Sequence, residues 1–185
     1  CAIYVFNGVE PATAQEVRDA GFIPVLNSMA QARLWKLTAP TAPAALHIDT
    51  GMNRLGLPAA EAQEAARLGL VFETVMSHLA SPSPEGNPAN ERQRAAFEHA
   101  AALFPGARRS LSASGGALMA KRFHYDLVRP GIALYGASPF DAPDARLKPV
   151  ARLTAPVIQM RDIRAGDTVG YGATFTAAAP MRLAT

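Results

Sequence analysis

Two arginines stand where apolar runs give way to glycine. Arg54 lies in "LHIDTGMNRLGL" (46–57), and Arg129 lies in "DLVRPGIALYG" (126–136), directly before Pro130 and Gly131. A guanidinium at the mouth of a buried strand is costly unless it holds an anion or a good acceptor, and its planar fork suits a carboxylate or phosphate. Two other polar residues close apolar runs in the same way: His78 in "VMSHLAS" and Ser114 in "LSASGG". The Ser114 hydroxyl, with Gly115, Gly116 and Gly131 beside it, could cradle a phosphate, because chain without Cβ lets N–H groups approach an anion closely. The same glycines also serve tight turns. His78 alone reads as a hydrogen-bonded structural histidine, unless something flat lies against it. Asp49 and Thr50 are usual chain-turning residues of a βα loop. His99, on a helix face, and His124 read as solvated or capping.

The elements that must position these residues repeat one pattern. The runs "AIYVFNG", "FIPVLNS", "AALHIDT", "FETVMSHLAS", "RRSLSAS" and "DLVRPGIALYG" are short, nearly continuously apolar and bounded by turn residues, as strands buried on both faces of a parallel sheet are. Their ends supply Asn7, Asn27, Asp49 with Thr50, His78, Ser114 and Arg129. Ligands of parallel α/β folds sit at the carboxyl ends of strands. Between the runs, Pro11 suits a first helical turn and Gly21 a stop, Ser28 and Gln31 form a capping box, and Asn87-Pro88 opens a helix that "PG" at 105–106 ends. About six βα units are visible, whereas a closed barrel of this kind has eight. The chain opens directly on strand-like "CAIYVFNG" and closes on "MRLAT", so both ends look cut, and two upstream units would complete the barrel. On that count "LSASGG" follows strand 7 and "RPGI" lies on or after strand 8, a common place for a phosphate site.

The predicted fold class is therefore α/β: a (β/α)8 TIM-type barrel lacking its first two βα units over 1–138. A proline-containing linker follows over 139–149. The start of an antiparallel β domain then spans 150–185, where "VARLTAPVIQMRDI", the turn "RAGD" and "TVGYGATFTA" suggest strands joined by a hairpin. The 185 residues are 49% hydrophobic and 18% charged, enough for a sizeable core, and the net charge of +3 forms no basic cluster of the kind that binds nucleic acid. No apolar stretch approaches the roughly 18 residues of a membrane span. The single cysteine, Cys1, suits a reducing cytoplasm.

In combination, "HIDTGMNRLGL", "SHLAS", "LSASGG" and "LVRPGIALYG" resemble successive segments of bacterial alanine racemases, which use pyridoxal 5'-phosphate on a (β/α)8 barrel with a C-terminal β domain. The resemblance runs from "AIYVFNG" to "GYGATF". It implies that Arg129 donates to the pyridine nitrogen, that His78 lies against the ring, and that Ser114 and the backbone of Gly131 and Ile132 hold the phosphate. Arg54 would meet the substrate carboxylate. No metal is implied. The family's cofactor-bearing lysine, in a "KANAYGHG"-like segment, and its opposing tyrosine, in a "GYADG"-like segment, are both absent here, so no catalytic base is assigned within the chain. Tyr171 in "GYGATF" belongs to a neighbouring strand, and these residues alone are expected to be inactive. His47 stands where the family often has a lysine whose carbamate braces the substrate arginine; either another anion does so, Asp49 or a bound chloride, or Arg54 is held more loosely. Ala113-Ser114 replaces the family's "NS". The implied protein is a cytoplasmic homodimer with shared active sites that makes D-alanine for peptidoglycan. A related pyridoxal-phosphate racemase or decarboxylase, or a barrel that binds the cofactor without catalysis, remains open on the residues alone.

Overall fold

Each of the first five apolar runs forms a strand, and in all but "AALHIDT" that strand is shorter than the run itself. The structure, a computed structural model, describes residues 1–82 and 86–185 and divides into two units, Cys1–Val150 and Ala151–Thr185. In the first unit β1 (Tyr4–Val5), α1 (Ala14–Asp19), β2 (Ile23–Leu26), α2 (Met29–Thr38) and β3 (Pro43–Asp49) come first. A two-residue β4 (Leu57–Pro58), α3 (Ala62–Arg67), β5 (Val71–Met76), α4 (Pro88–Ala101), β6 (Arg108–Ser110) and α5 (Ser114–Leu118) follow. The strands pair in parallel in the order β1-β2-β3-β5-β6, with β4 attached to β3.

Side chains of β3 alternate between two cores, as successive Cβ atoms must. Leu46 and Ile48 pack with Trp35 and Phe97 of the helices, whereas Ala45 packs with Ile23, Val25 and Met76 on the inner face. His47, one period on from Ala45, is 6% exposed. The sheet is strongly curved, because side chains from its two ends meet. Arg108 of β6 donates to the Tyr4 hydroxyl of β1 at 2.6 Å, and that hydroxyl also contacts Glu73 and Thr74. Two consecutive residues of β5 reach Tyr4 because the register against β3 slips between Ala44 and Ala45, a bulge that re-aims a side chain.

Helix ends follow sequence chemistry with small shifts. Gln31 N–H donates to Ser28 Oγ at 3.2 Å, but the Gln31 side chain takes the Asn27 N–H (2.8 Å) rather than that of Ser28. Asn87 caps α4 by accepting from Ala89 N–H at 2.9 Å. Pro11 lies before α1, which starts at Ala14. Among the described residues no helix is long and apolar enough to cross a membrane.

Two expectations fail. The run 126–136 is not a strand: it makes one isolated parallel bridge, Ala113 to Arg129, and then a 3-10 turn over Ile132–Tyr135. Pro130 has no N–H with which to extend a ladder, and the next N–H, of Gly131, goes to a side chain instead. In the second unit "RAGD" does turn, with Asp167 N–H donating to Arg164 C=O at 3.1 Å, yet it does not join paired strands. β7 (Met160–Ile163) pairs antiparallel with β10 (Met181–Ala184), and β8 (Thr168–Val169) with β9 (Phe175–Thr176). Residues 150–159 form no strand, and Pro156 in their midst lacks a ladder donor.

Candidate active site

His78, Ser114, Arg129, Gly131 and Ile132 all line one cavity of about 420 Å³ in the first unit. Arg129 reaches it from the bridge with Ala113, its N–H donating to Ser112 C=O at 2.8 Å. Its guanidinium is anchored on two sides: Nη2 donates to Ser77 C=O at 2.6 Å, and Nη1 to Ser110 Oγ. Ser110 can accept because its own hydroxyl donates to Leu127 C=O at 2.7 Å. Burial pushes the Arg129 guanidinium down to about 10. It therefore stays charged at neutral pH, with donor capacity beyond these two bonds.

Two histidines share that neighbourhood and stay neutral. Burial, then the charges of Arg129 and Arg54, pushes His78 down to about 4. His47 also falls to about 4, chiefly through burial and then Arg129. Its tautomer follows from its partner. The Asn27 amide nitrogen donates to Phe6 C=O (3.0 Å) and Val25 C=O (2.8 Å), so its oxygen faces His47 Nδ1 at 2.8 Å. Nδ1 must then carry the hydrogen and Nε2 the lone pair.

Ser114 is satisfied on one side only. Its Oγ accepts from Gly131 N–H at 2.8 Å and Ala133 N–H at 3.2 Å, which occupies both lone pairs and leaves the hydroxyl hydrogen to donate. Gly131 thus spends its N–H on Ser114, while Ile132, 52% exposed, has no partner for its N–H among the described residues. Gly116 is required for packing, since a Cβ there would lie 2.2 Å from Ser112 Oγ. A Cβ at Gly131 would meet nothing within 4 Å, so the space beside it is open.

Arg54 is held loosely, one of the two arrangements expected of it. It is exposed, with no hydrogen bond or ion pair among the described residues, although its charge acts on both histidines. Asp49 does not brace it: both its carboxylate oxygens are taken by the N–H groups of Gly51, Met52 and Asn53, each at 2.9 Å. The loop winds about that carboxylate. Asn53 takes a positive φ of 54°, and at Gly56 (φ +118°) a Cβ would lie 2.7 Å from the Asp49 nitrogen. Thr50 is bonded to Ser77 Oγ at 2.7 Å.

Other candidates disperse. His99 is exposed in the last turn of α4, and half-buried His124 caps the 3-10 turn over Lys121–Phe123 with its backbone N–H, while its buried ring Nε2 has no hydrogen-bond partner among the described residues. Asn7 is exposed and contributes its carbonyl to Gln31. Tyr171 lies in an exposed 3-10 turn between β8 and β9 rather than on a strand.

The family described as "Alanine racemase, N-terminal domain" matches residues 1–139, and "Alanine racemase, C-terminal domain" matches 150–185. This chain belongs to the alanine racemase family. An alanine racemase of Methylobacterium sp. (strain 4-46) is 43% identical, the match covering 99% of this chain and 52% of that protein. A catabolic alanine racemase of Mesorhizobium japonicum is 41% identical over 99% of this chain and 50% of its own length. The crystal structure of alanine racemase from Bartonella henselae with covalently bound pyridoxal phosphate superposes with a TM-score of 0.85 at 35% identity, covering 99% of this chain and 54% of that one. The chain thus spans about half the length of the relatives it matches, and its architecture is that of an alanine racemase, an α/β barrel with a β domain.

Several residues that support the cavity wall do not stand out in the sequence. Ser77 and Ser110 grip Arg129, Asn27 fixes His47, and Gln93 of α4 bonds to the His78 segment. A signal for Gln93 existed. Asn90, Gln93, Phe97 and Ala100 follow helical spacing and are all buried, which places two amides on the core face of α4.

Proposed function

We propose that the protein containing these residues interconverts L-alanine and D-alanine with pyridoxal phosphate held in the cavity. The observation that carries this reading is an Arg129 charged at neutral pH and a neutral His78 on the wall of one cavity, which also presents spare donors at Ser114 and Ile132. That donor set fits the cofactor: a charged donor for a ring nitrogen, an uncharged ring for a flat face, and a hydroxyl and N–H for phosphate oxygens. The open space at Gly131 is room that a side chain would fill.

In this reading Arg129 holds the pyridine nitrogen, His78 steadies the ring, and Ser114 and Ile132 donate to the phosphate while Gly131 orients Ser114. Arg54 receives the substrate carboxylate. When bound, pyridoxal phosphate supplies an electron sink that lowers the cost of removing the α-proton of an amino acid. Arg129, a cation that keeps its proton, limits the depth of that sink, which favours a short exchange of one proton over longer-lived chemistry. Racemisation needs a base on each face of the substrate. Lys36, Lys121 and Lys148 all lie off the cavity lining, so we assign neither base within 1–185, and these residues alone do not turn over. We read 1–138 as part of an eight-unit cofactor barrel, 139–149 as a linker and 150–185 as the start of the β domain. The protein in this reading is a cytoplasmic homodimer supplying D-alanine to peptidoglycan.

The test is solvent exchange. The full-length protein loaded with pyridoxal phosphate, in deuterated water, replaces the α-hydrogen of either alanine enantiomer and forms the other. A full-length protein that binds no pyridoxal phosphate overturns the reading.

A further inference from the structure

Gln93 is 4% exposed, in the middle of α4, with a side chain that is costly to bury unless every polar atom is satisfied. All of it is satisfied. Oε1 accepts from Ala80 N–H at 2.8 Å, while Nε2 donates to His78 C=O at 2.9 Å and to Thr50 Oγ1 at 3.3 Å. A glutamine amide is a peptide group carried on a side chain. β5 ends at Met76, and beyond it this amide pairs with residues 78 and 80 as a neighbouring strand would. The second arm continues outward. Thr50 Oγ1 bonds Ser77 Oγ at 2.7 Å, and the Ser77 carbonyl accepts from Arg129 Nη2 at 2.6 Å. One buried amide therefore ties α4 to the end of β5 and to the turn after β3.

We propose that Gln93 is a positioning residue: its buried amide fixes the backbone that carries His78 and, through Thr50 and Ser77, the carbonyl that anchors Arg129. This rests on the cavity being the pyridoxal phosphate site. Gln93 does not line the cavity and acts only through residues that do. Without its amide, the carbonyl of His78 and the N–H of Ala80 lose their shared partner, and the two groups that face the cofactor lose a common reference.

The experiment titrates full-length apoprotein with pyridoxal phosphate, following absorbance, and measures thermal unfolding on the same samples. Gln93→Leu, which keeps bulk but removes the amide, is expected to weaken binding about 10-fold or more. Gln93→Glu keeps the Ala80 acceptor but, when ionised, turns a charge on the His78 carbonyl. Its affinity relative to wild type recovers as the pH is lowered from about 8 to about 5.5 and the buried carboxyl becomes a donor. A purely structural Gln93 gives lower melting temperatures with wild-type affinity and no such recovery, and that result overturns the proposal. Should Gln93→Leu fail to fold, Thr50→Val cuts only the outer arm and is expected to weaken binding about threefold; unchanged affinity there counts equally against it. Wild-type protein that binds no cofactor overturns the functional reading and this proposal together, whereas wild-type binding with indifferent variants overturns this proposal alone.

Discussion

The surroundings of Arg129 and those of Arg54 are built on opposite plans. Around Arg129 almost every group is committed: Ser77, Ser110 and Ser112 accept from it, and burial disfavours its charge without removing it. Around Arg54 the commitment is in the backbone alone. Asp49 gathers three N–H groups and Gly56 closes against Asp49, while the guanidinium that the loop carries is left exposed, with no bond among the described residues. A site built in advance suits a ligand that stays, since the ordering is already done before it arrives. A charge left hydrated on a wound loop suits a ligand that comes and goes, because release then leaves no buried charge unpaired.

The contrast breaks first at Arg129. Arg129→Lys keeps a charge but cannot span the Ser77 carbonyl and the Ser110 hydroxyl with one fork, so pyridoxal phosphate affinity of the full-length protein is expected to fall about 100-fold. An Arg129→Lys protein that binds as tightly as wild type removes the distinction between the two regions. Next comes acidity. His47 and His78 are neutral when folded, at about 4 against 6.5, so between those values the unfolded chain binds more protons. Stability then rises with pH through that window and is lost as pH falls through it. For His47 the loss on going from pH 7 to pH 4.5 is about 2–3 kcal/mol, and urea unfolding of His47→Gln should show a pH dependence smaller by that amount. Equal pH dependence in the two proteins contradicts a desolvated histidine. The smallest effect is at the loop. Arg54→Gln is expected to raise KM for alanine about 10-fold while leaving cofactor affinity within about twofold. A matching loss of cofactor affinity would make Arg54 part of the resident site.

What the sequence made legible follows the same division. Strand ends were readable because a buried parallel strand announces itself as an apolar run, and the first polar residue after it must face the mouth. That logic brought His78, Ser114 and Arg129 to one cavity. It failed over 126–136, where the apolar pattern was strand-like but Pro130 allowed only a bridge. It failed again at "RAGD", since a turn sequence fixes its own hydrogen bonds but not which strand its flanks will join. The exposure of Arg54 was not legible, because an apolar run says nothing about how far the following loop carries its tip. The committed partners were hidden for a different reason: Ser77, Ser110 and Gln93 act through carbonyls, hydroxyls and an amide whose meaning depends on what folds beside them.

The bond between Tyr4 and Arg108 joins residues 104 apart and closes the curve of the sheet. The entropy lost in closing a loop grows only slowly with its length, but it is incurred before the contacts that reward it. β1 therefore waits for β5 to bring Glu73 and Thr74 to its Tyr4 hydroxyl, and then for β6 to bring Arg108. A chain arranged this way matures late and as a whole, which predicts slow, cooperative folding and a partly made strand arc that is prone to pair with the wrong neighbour.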